Sequence, residues 1–368
     1  MGGFDASLAR FEGLKGRSTM AETTQQPNGK PAPWGKLAVR ALFLLVGGIS
    51  LYFFLPTLLN LFEVAPQLEH VKWRWFLLMG LLETGAFVSL WALTRIAAPG
   101  VSWFVASTSQ LTSNAAVKVV PGGVVAGGAF YFQMLAVSGV PMGTALAALA
   151  AVGILSNLVL LALPAVAVVI ALVTAPIPDG MLPVAIAGTI LFLAMFTVTV
   201  IVVRFDRPLY WVGWVVQRVV AWAARIFKKD WSLTSEDIIK RRDEVVSSLG
   251  KRWHKALGAA IANWLLDYAT LVVALVAVGA QPNPSLVLLA FAGAAVLGMI
   301  PITPGGLGFV EAGLTGMLTI AGIPAGDALL ATLAYRLFQF WLPIPVGLVA
   351  YFLFRRRYGK PSELPAVS

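Results

Sequence analysis

Apolar runs dominate this sequence, and their lengths decide which solvent it folds in. They cover approximately residues 37–60, 75–94, 101–119, 124–138, 144–172, 181–203, 256–278, 285–300, 307–321 and 327–354. A helix needs about 20 apolar residues to cross the hydrocarbon of a bilayer, and several of these runs reach that length. With 58% of residues hydrophobic, 12% charged and a mean hydropathy of +0.82, too little polar surface remains to coat a soluble particle. The predicted fold is an all-α polytopic membrane protein. The runs at 124–138 and 307–321 are too short to span comfortably, and both follow Pro-Gly-Gly. Backbone can leave a helix at membrane depth only where protein or a wet cavity covers it. These runs are therefore expected to be arms of re-entrant or broken-helix hairpins.

The residues that are scarce exclude much chemistry. There is no cysteine, so disulfides, thiolate metal sites and cysteine nucleophiles are ruled out. His70 and His254 have no ligand-spaced partner and read as interfacial or loop residues. No nucleophile triad, phosphate-binding NTPase loop, metal motif or dinucleotide fingerprint is present. No cofactor, metal or catalytic residue is expected, and direct use of ATP is not.

The net charge of +10 is concentrated in three places: residues 1–40, 204–255 and 355–368 together carry +12 and the remainder −2. Basic excess flanking apolar runs marks cytoplasmic segments rather than a nucleic-acid-binding surface. The expected organisation is a disordered cytoplasmic tail at 1–35, a first transmembrane helix with repeat 1 and a connecting helix at 36–203, and a cytoplasmic basic amphipathic segment at 204–255. Repeat 2 follows at 256–354, then a basic cytoplasmic tail at 355–368. Trp211, Trp214 and Trp222 among Arg218, Arg225, Lys228 and Lys229 suit a helix lying in the interface. No signal peptide fits the N-terminus, and Met20 is an alternative start.

An offset of 183 residues superimposes Pro121-Gly122-Gly123 on Pro304-Gly305-Gly306, and Gly139-Val140-Pro141 on Gly322-Ile323-Pro324. One residue of slippage brings Glu83 onto Asp267, a carboxylate inside an apolar helix in each copy. With the basic segments cytoplasmic, the two copies run antiparallel. Such inverted repeats commonly bind substrate where broken helices meet.

Several side chains have a cost at that depth and therefore call for a role. Gly122, Gly123, Gly305 and Gly306 let the backbone turn and approach a ligand closely, and the amides at the following helix start attract an anion such as a phosphate headgroup. A structural hairpin turn is the competing reading. Glu311 and Arg336 either pair with each other or divide the work, Arg336 on a lipid phosphate and Glu311 on a cationic headgroup or proton. Lys118 joins these candidate headgroup ligands, although snorkelling to the interface is the preferred reading for it. Glu83 and Asp267, with Asn263 on the face of Asp267, are candidates for coupling to protons or cations. Gln110, Asn114, Gln133 and Asn157 line a wet path or act as polar glue between helices.

The run Ile302-Thr303-Pro304-Gly305-Gly306-Leu307-Gly308-Phe309-Val310-Glu311-Ala312-Gly313, followed by Gly322-Ile323-Pro324, Tyr335-Arg336 and Phe340-Trp341-Leu342-Pro343, resembles the C-terminal signature of the lysylphosphatidylglycerol synthase transmembrane-region family. The resemblance covers nearly all of residues 37–354. It implies a flippase for phospholipids, aminoacylated phosphatidylglycerol or polyprenyl-linked glycolipids. Larger relatives carry a soluble aminoacyl-transferase domain after the membrane region. Only fourteen residues follow Phe354, so lipid aminoacylation is not expected of this chain by itself. In the first copy the positions equivalent to Glu311 and Arg336 are Gly128 and Gly153, a departure that concentrates the charge in the second copy.

These observations predict a multi-pass protein of the bacterial inner membrane, with both termini cytoplasmic, moving an anionic phospholipid, aminoacyl-phospholipid or polyprenyl-linked glycolipid between leaflets. Its expected partners are membrane lipids with an anionic headgroup or polyprenyl phosphate, together with a lipid synthase. The rival readings are a non-transporting membrane partner that regulates a lipid or glycolipid synthase, and an intramembrane lipid-modifying transferase.

Overall fold

The computed structural model describes residues 73–120, 123–174, 177–204, 250–299 and 303–359. All of them fall in one compact unit, residues 45–368. The N-terminal tail, the first apolar run, His70, Pro121, Gly122 and most of the basic 204–255 segment lie outside the described residues.

Among the described residues the regular structure is helical throughout. In chain order it comprises α1 (Trp73–Ala97), α2 (Trp103–Val119), α3 (Gly123–Val137), α4 (Met142–Thr174), α5 (Leu182–Arg204), α6 (Trp253–Ala277), α7 (Pro284–Gly298), α8 (Phe309–Ile320), α9 (Ala325–Arg336) and α10 (Pro343–Tyr358). A π-helical turn, Leu337–Trp341, joins the last two. Among the described residues, five stretches are long and apolar enough to cross a membrane: Trp73–Ala97, Met142–Ala171, Asp179–Ile201, Trp253–Ala277 and Ala325–Tyr358. This is an integral membrane protein. Both halves present their elements in one order: a long helix bearing a buried carboxylate, an inner helix, a short helix, a Gly-X-Pro corner and a long closing segment.

The short inner helices α7 and α2 are covered by protein. Asn283 caps α7 by accepting from the Ser285 amide, Pro284 opens its first turn, and every residue from Ser285 to Ala294 is buried. Ser102 caps α2 in the same way, accepting from the Val105 amide. Along α2, Thr108, Ser109, Gln110 and Thr112 are buried as well, their polar atoms taken up by turns of the same helix or by neighbours. By contrast α5 is mostly exposed and turns Ile186, Ile190, Leu193 and Phe196 outward, as a lipid-facing helix does. Gly188 leaves room for Pro164 of α4, whose ring a β-carbon there would meet at 2.6 Å.

Helices α1 and α6, which carry Glu83 and Asp267, pack along each other more extensively than any other pair. Gly85 makes space for Leu266, and Asn263 Nδ2 donates to the Ala86 carbonyl at 3.0 Å. Next to this central pair, α2 packs on α3 and on α10, and α7 on α8.

Candidate functional site

The second Pro-Gly-Gly is a single tight turn. Gly305 and Gly306 have φ of 60° and 72°, conformations that an L side chain adopts only with strain. The Gly306 amide donates to the Thr303 carbonyl at 3.1 Å, and Thr303 Oγ1 donates to the Leu307 carbonyl at 2.9 Å. Gly308 then starts α8 without a side-chain cap, and Glu311 sits in its first turn. The anion that a helix start favours is thus supplied by the protein's own carboxylate.

Arg336, at the end of α9, faces this turn. Its Nε donates to Glu311 Oε1 at 2.7 Å, Nη1 to Gln339 Oε1 at 3.0 Å and Nη2 to the Gly305 carbonyl at 3.3 Å. The guanidinium lies over the Phe340 ring, 4.2 Å from its centroid. Glu311 and Arg336 are therefore a buried ion pair that ties the turn to the closing segment, with Glu311 Oε2 left without a partner. Gly305 itself is pressed between Phe340 and the Lys118 backbone.

Lys118 turns inward. Snorkelling was the preferred expectation, but the side chain is only 7% exposed and its Nζ donates to the Gln339 carbonyl beside the Phe340 ring. That carbonyl is available because its α-helical donor would be Pro343, which has no N–H, and a π turn precedes that proline. Leu342 donates to the Leu337 carbonyl at 2.9 Å, a bond one residue longer than an α-helical one, and such widened turns disturb the usual carbonyl pairing around them. Among the described residues no carboxylate lies within ion-pair distance of Lys118, so two of its three N–H donors remain unused.

These groups line a cavity of about 480 Å³, within the usual range of small-molecule sites. Its polar wall consists of Lys118 and Asn114 from α2, Asn157 from α4, Asp267 from α6, and Tyr335, Arg336 and Gln339 from the closing segment. Asp267 Oδ1 accepts the Tyr335 hydroxyl at 2.9 Å, and Asn114 Oδ1 is buried without a partner. Asn157 donates to the Gly153 carbonyl at 2.8 Å. A second cavity of about 300 Å³ is lined by Glu83, Thr84, Phe87, Trp91, Leu111 and Phe338, among others. Within it Glu83 Oε2 and Trp91 Nε1 are buried and without partners.

The sequence candidates thus divide into groups. Lys118, Asp267, Asn114, Gly305 and Arg336 meet at the first cavity, and Glu83 faces the second. Gly306 and Glu311 brace the turn from behind. Gln110 donates to Thr94 Oγ1, which also receives the Tyr131 hydroxyl, and Asn263 bonds α1; both work as polar glue between helices. Gly123 begins α3 with the Val117 carbonyl where a β-carbon would be, and its role is close packing. Gln339, Phe340 and Tyr335 were not singled out as site residues. The Tyr335-Arg336 dipeptide carried a signal for two sides of one helix end, but no sequence pattern announces a π turn.

A family model described as the lysylphosphatidylglycerol synthase TM region matches residues 39–347. The chain belongs to this family. Similar proteins include two from Methanothermobacter thermautotrophicus described as UPF0104 membrane proteins. One is 32% identical over 87 residues, covering 24% of this chain and 25% of the relative. The other is 28% identical over 87 residues, covering 24% and 26%. The chain therefore spans about a quarter of the length of these relatives. In this family member, the Arg336–Glu311 pair and the Gly305-Gly306 turn lie within the matched region, as do both cavities.

Proposed function

We propose that this protein moves an anionic lipid between leaflets, a phospholipid, an aminoacyl-phospholipid or a polyprenyl-linked glycolipid, without changing it chemically. The observation that carries the reading is the first cavity, in which a buried lysine with unused donors faces a polar wall assembled from both halves of the chain. A buried ammonium with no anion in direct contact is costly, and an anionic headgroup fills the donors that Lys118 leaves open. Arg336 is already neutralised, so Lys118 is the headgroup ligand and Arg336 holds the turn against which it works.

Alternating exposure of a midplane site is the natural mechanism for two copies of opposite orientation. In support, equivalent positions of the two copies line the two cavities: Glu83 and Asp267, Leu111 and Ala294. On this reading the two Pro-Gly-Gly elements are hairpins of an inverted repeat, and both termini and residues 204–255 are cytoplasmic. Labelling of a cysteine at Lys360 from outside intact cells by an impermeant thiol reagent would overturn that orientation.

The direct test is movement of labelled phosphatidylglycerol in phosphatidylcholine vesicles containing the protein. Wild type speeds it, Lys118→Met abolishes it, and Lys118→Arg retains part of it. Unchanged movement across phospholipid and polyprenyl-phosphate probes would favour a non-transporting partner of a lipid synthase, a reading supported by the structural use of Arg336 and Glu311. Recovery of covalently altered lipid would favour a transferase.

A further inference from the structure

The buried charges do not balance. Among the described residues, the charged side chains inside the core are Glu83, Asp267 and Glu311 against Lys118 and Arg336. Arg336 and Glu311 neutralise each other at 2.7 Å. One ammonium, Lys118, then stands against two carboxylates, one from each half of the chain. An isolated buried charge is costly enough that the group neutralises instead.

The two carboxylates are not equivalent. Asp267 accepts the Tyr335 hydroxyl and shares the first cavity with Lys118, so it is the one that the ammonium balances. Glu83 receives no donor and faces the second cavity, whose walls are mainly Phe87, Trp91, Phe338, Leu342 and Val346. The π turn separates the two spaces, with Phe338 on one side and Gln339 and Phe340 on the other. Around Glu83, α6 contributes Asp267, α2 contributes Lys118, and the end of α9 contributes Tyr335 and Arg336. Helix α4 and the π turn carry no titratable residue, and α10 has none before Tyr351.

We infer that Glu83 holds a proton in the resting protein and that an anion engaging Lys118 brings a second proton onto Asp267, so that each headgroup charge enters together with one proton. The inference rests on the anionic-cargo reading above. When the anion takes the ammonium, Asp267 loses its counter-charge and draws a proton from solvent; the lipid gains and loses no atoms. Glu83 remains neutral in its own compartment, which keeps it from competing for Lys118.

Infrared spectroscopy of the full chain in vesicles of ether-linked phosphatidylcholine, which has no ester carbonyl to mask the signal, tests this through the carbonyl stretch of protonated carboxyl groups. At neutral pH the wild type should show one such band in the core, absent from Glu83→Gln. Lys118→Met should gain a second band without any anionic lipid, whereas Lys118→Arg, which keeps the charge and guards against misfolding, should resemble wild type. Adding dihexyl phosphatidylglycerol, also ether-linked, to wild type should produce the second band, and Glu83→Gln should still gain it. A resting wild type with no protonated carboxyl, or a Lys118→Met spectrum with no gain, overturns the inference. If Lys118→Met gains the band while the lipid changes nothing in wild type, the charge arrangement stands and the anionic-cargo reading fails.

Discussion

The two halves of this protein use one order of elements and hold it together by different means. In the second half a left-handed turn at Gly305 and Gly306 is fixed by charge: Arg336 reaches the Gly305 carbonyl while pairing with Glu311. In the first half, Gly128 and Gly153 lie 183 residues before Glu311 and Arg336, and close contact is used instead of charge. Gly127 lies so close to α2 that a β-carbon would be 2.4 Å from Val117 Cγ2 and 2.8 Å from the Ser113 carbonyl. The same order of elements therefore rests on different forces in the two halves. The half with the ion pair supplies Asp267, Tyr335, Arg336 and Gln339 to the polar wall of the first cavity, while the close-packed half supplies its lysine, Lys118, with Asn114 and Asn157.

The comparison breaks most readily at Arg336. Arg336→Ala strands Glu311 in the core and should cost about 3–5 kcal/mol, read as lost thermal retention of the monodisperse peak in size-exclusion chromatography. Exchanging the pair, Glu311→Arg with Arg336→Glu, should recover stability if the pair only braces the turn. Tyr335→Phe removes a hydrogen bond to a carboxylate and should cost about 1.5–3 kcal/mol in the same measurement. On the contact side, Gly127→Ala must push α3 away from α2, a loss of about 1–3 kcal/mol. The neighbouring Gly128→Ala meets nothing nearer than Leu149 at 3.9 Å and, by removing glycine's conformational freedom within a helix, should stabilise by about 0.5–1 kcal/mol. Equal effects at Gly127 and Gly128 would show that contact does not hold the first half together.

Much of this architecture is legible from the residues. The apolar runs place α1 to α8 to within a few residues, because hydrophobic length is a direct consequence of burying backbone in lipid, while the single run at 327–354 does not show the break between α9 and α10. Glycine and proline mark the corners at Gly139 and Gly322, where positive φ demands glycine. The mutual pairing of Glu311 and Arg336 follows from the cost of burying either alone. The direction of Lys118 does not follow. A lysine near a helix end chooses between the interface and an acceptor in the core, and its acceptor is a backbone carbonyl of a π turn far along the chain. Gln110 and Asn263 could not be told apart from cavity-lining residues for a similar reason: an amide on a helix face reads the same whether it meets water or the next helix.

The π turn has a mechanical consequence. It holds one residue more than an α-helical turn would, and each helical residue corresponds to a rotation of about 100° and a rise of about 1.5 Å. Rewinding Leu337–Trp341 as ordinary α-helix would turn α10 by that angle about its own axis while α9 and Arg336 stay in place. The carbonyl offered to Lys118 would change as well. One backbone hydrogen bond, from Leu342 to Leu337, thus sets the rotational register of the whole outer half of the closing segment.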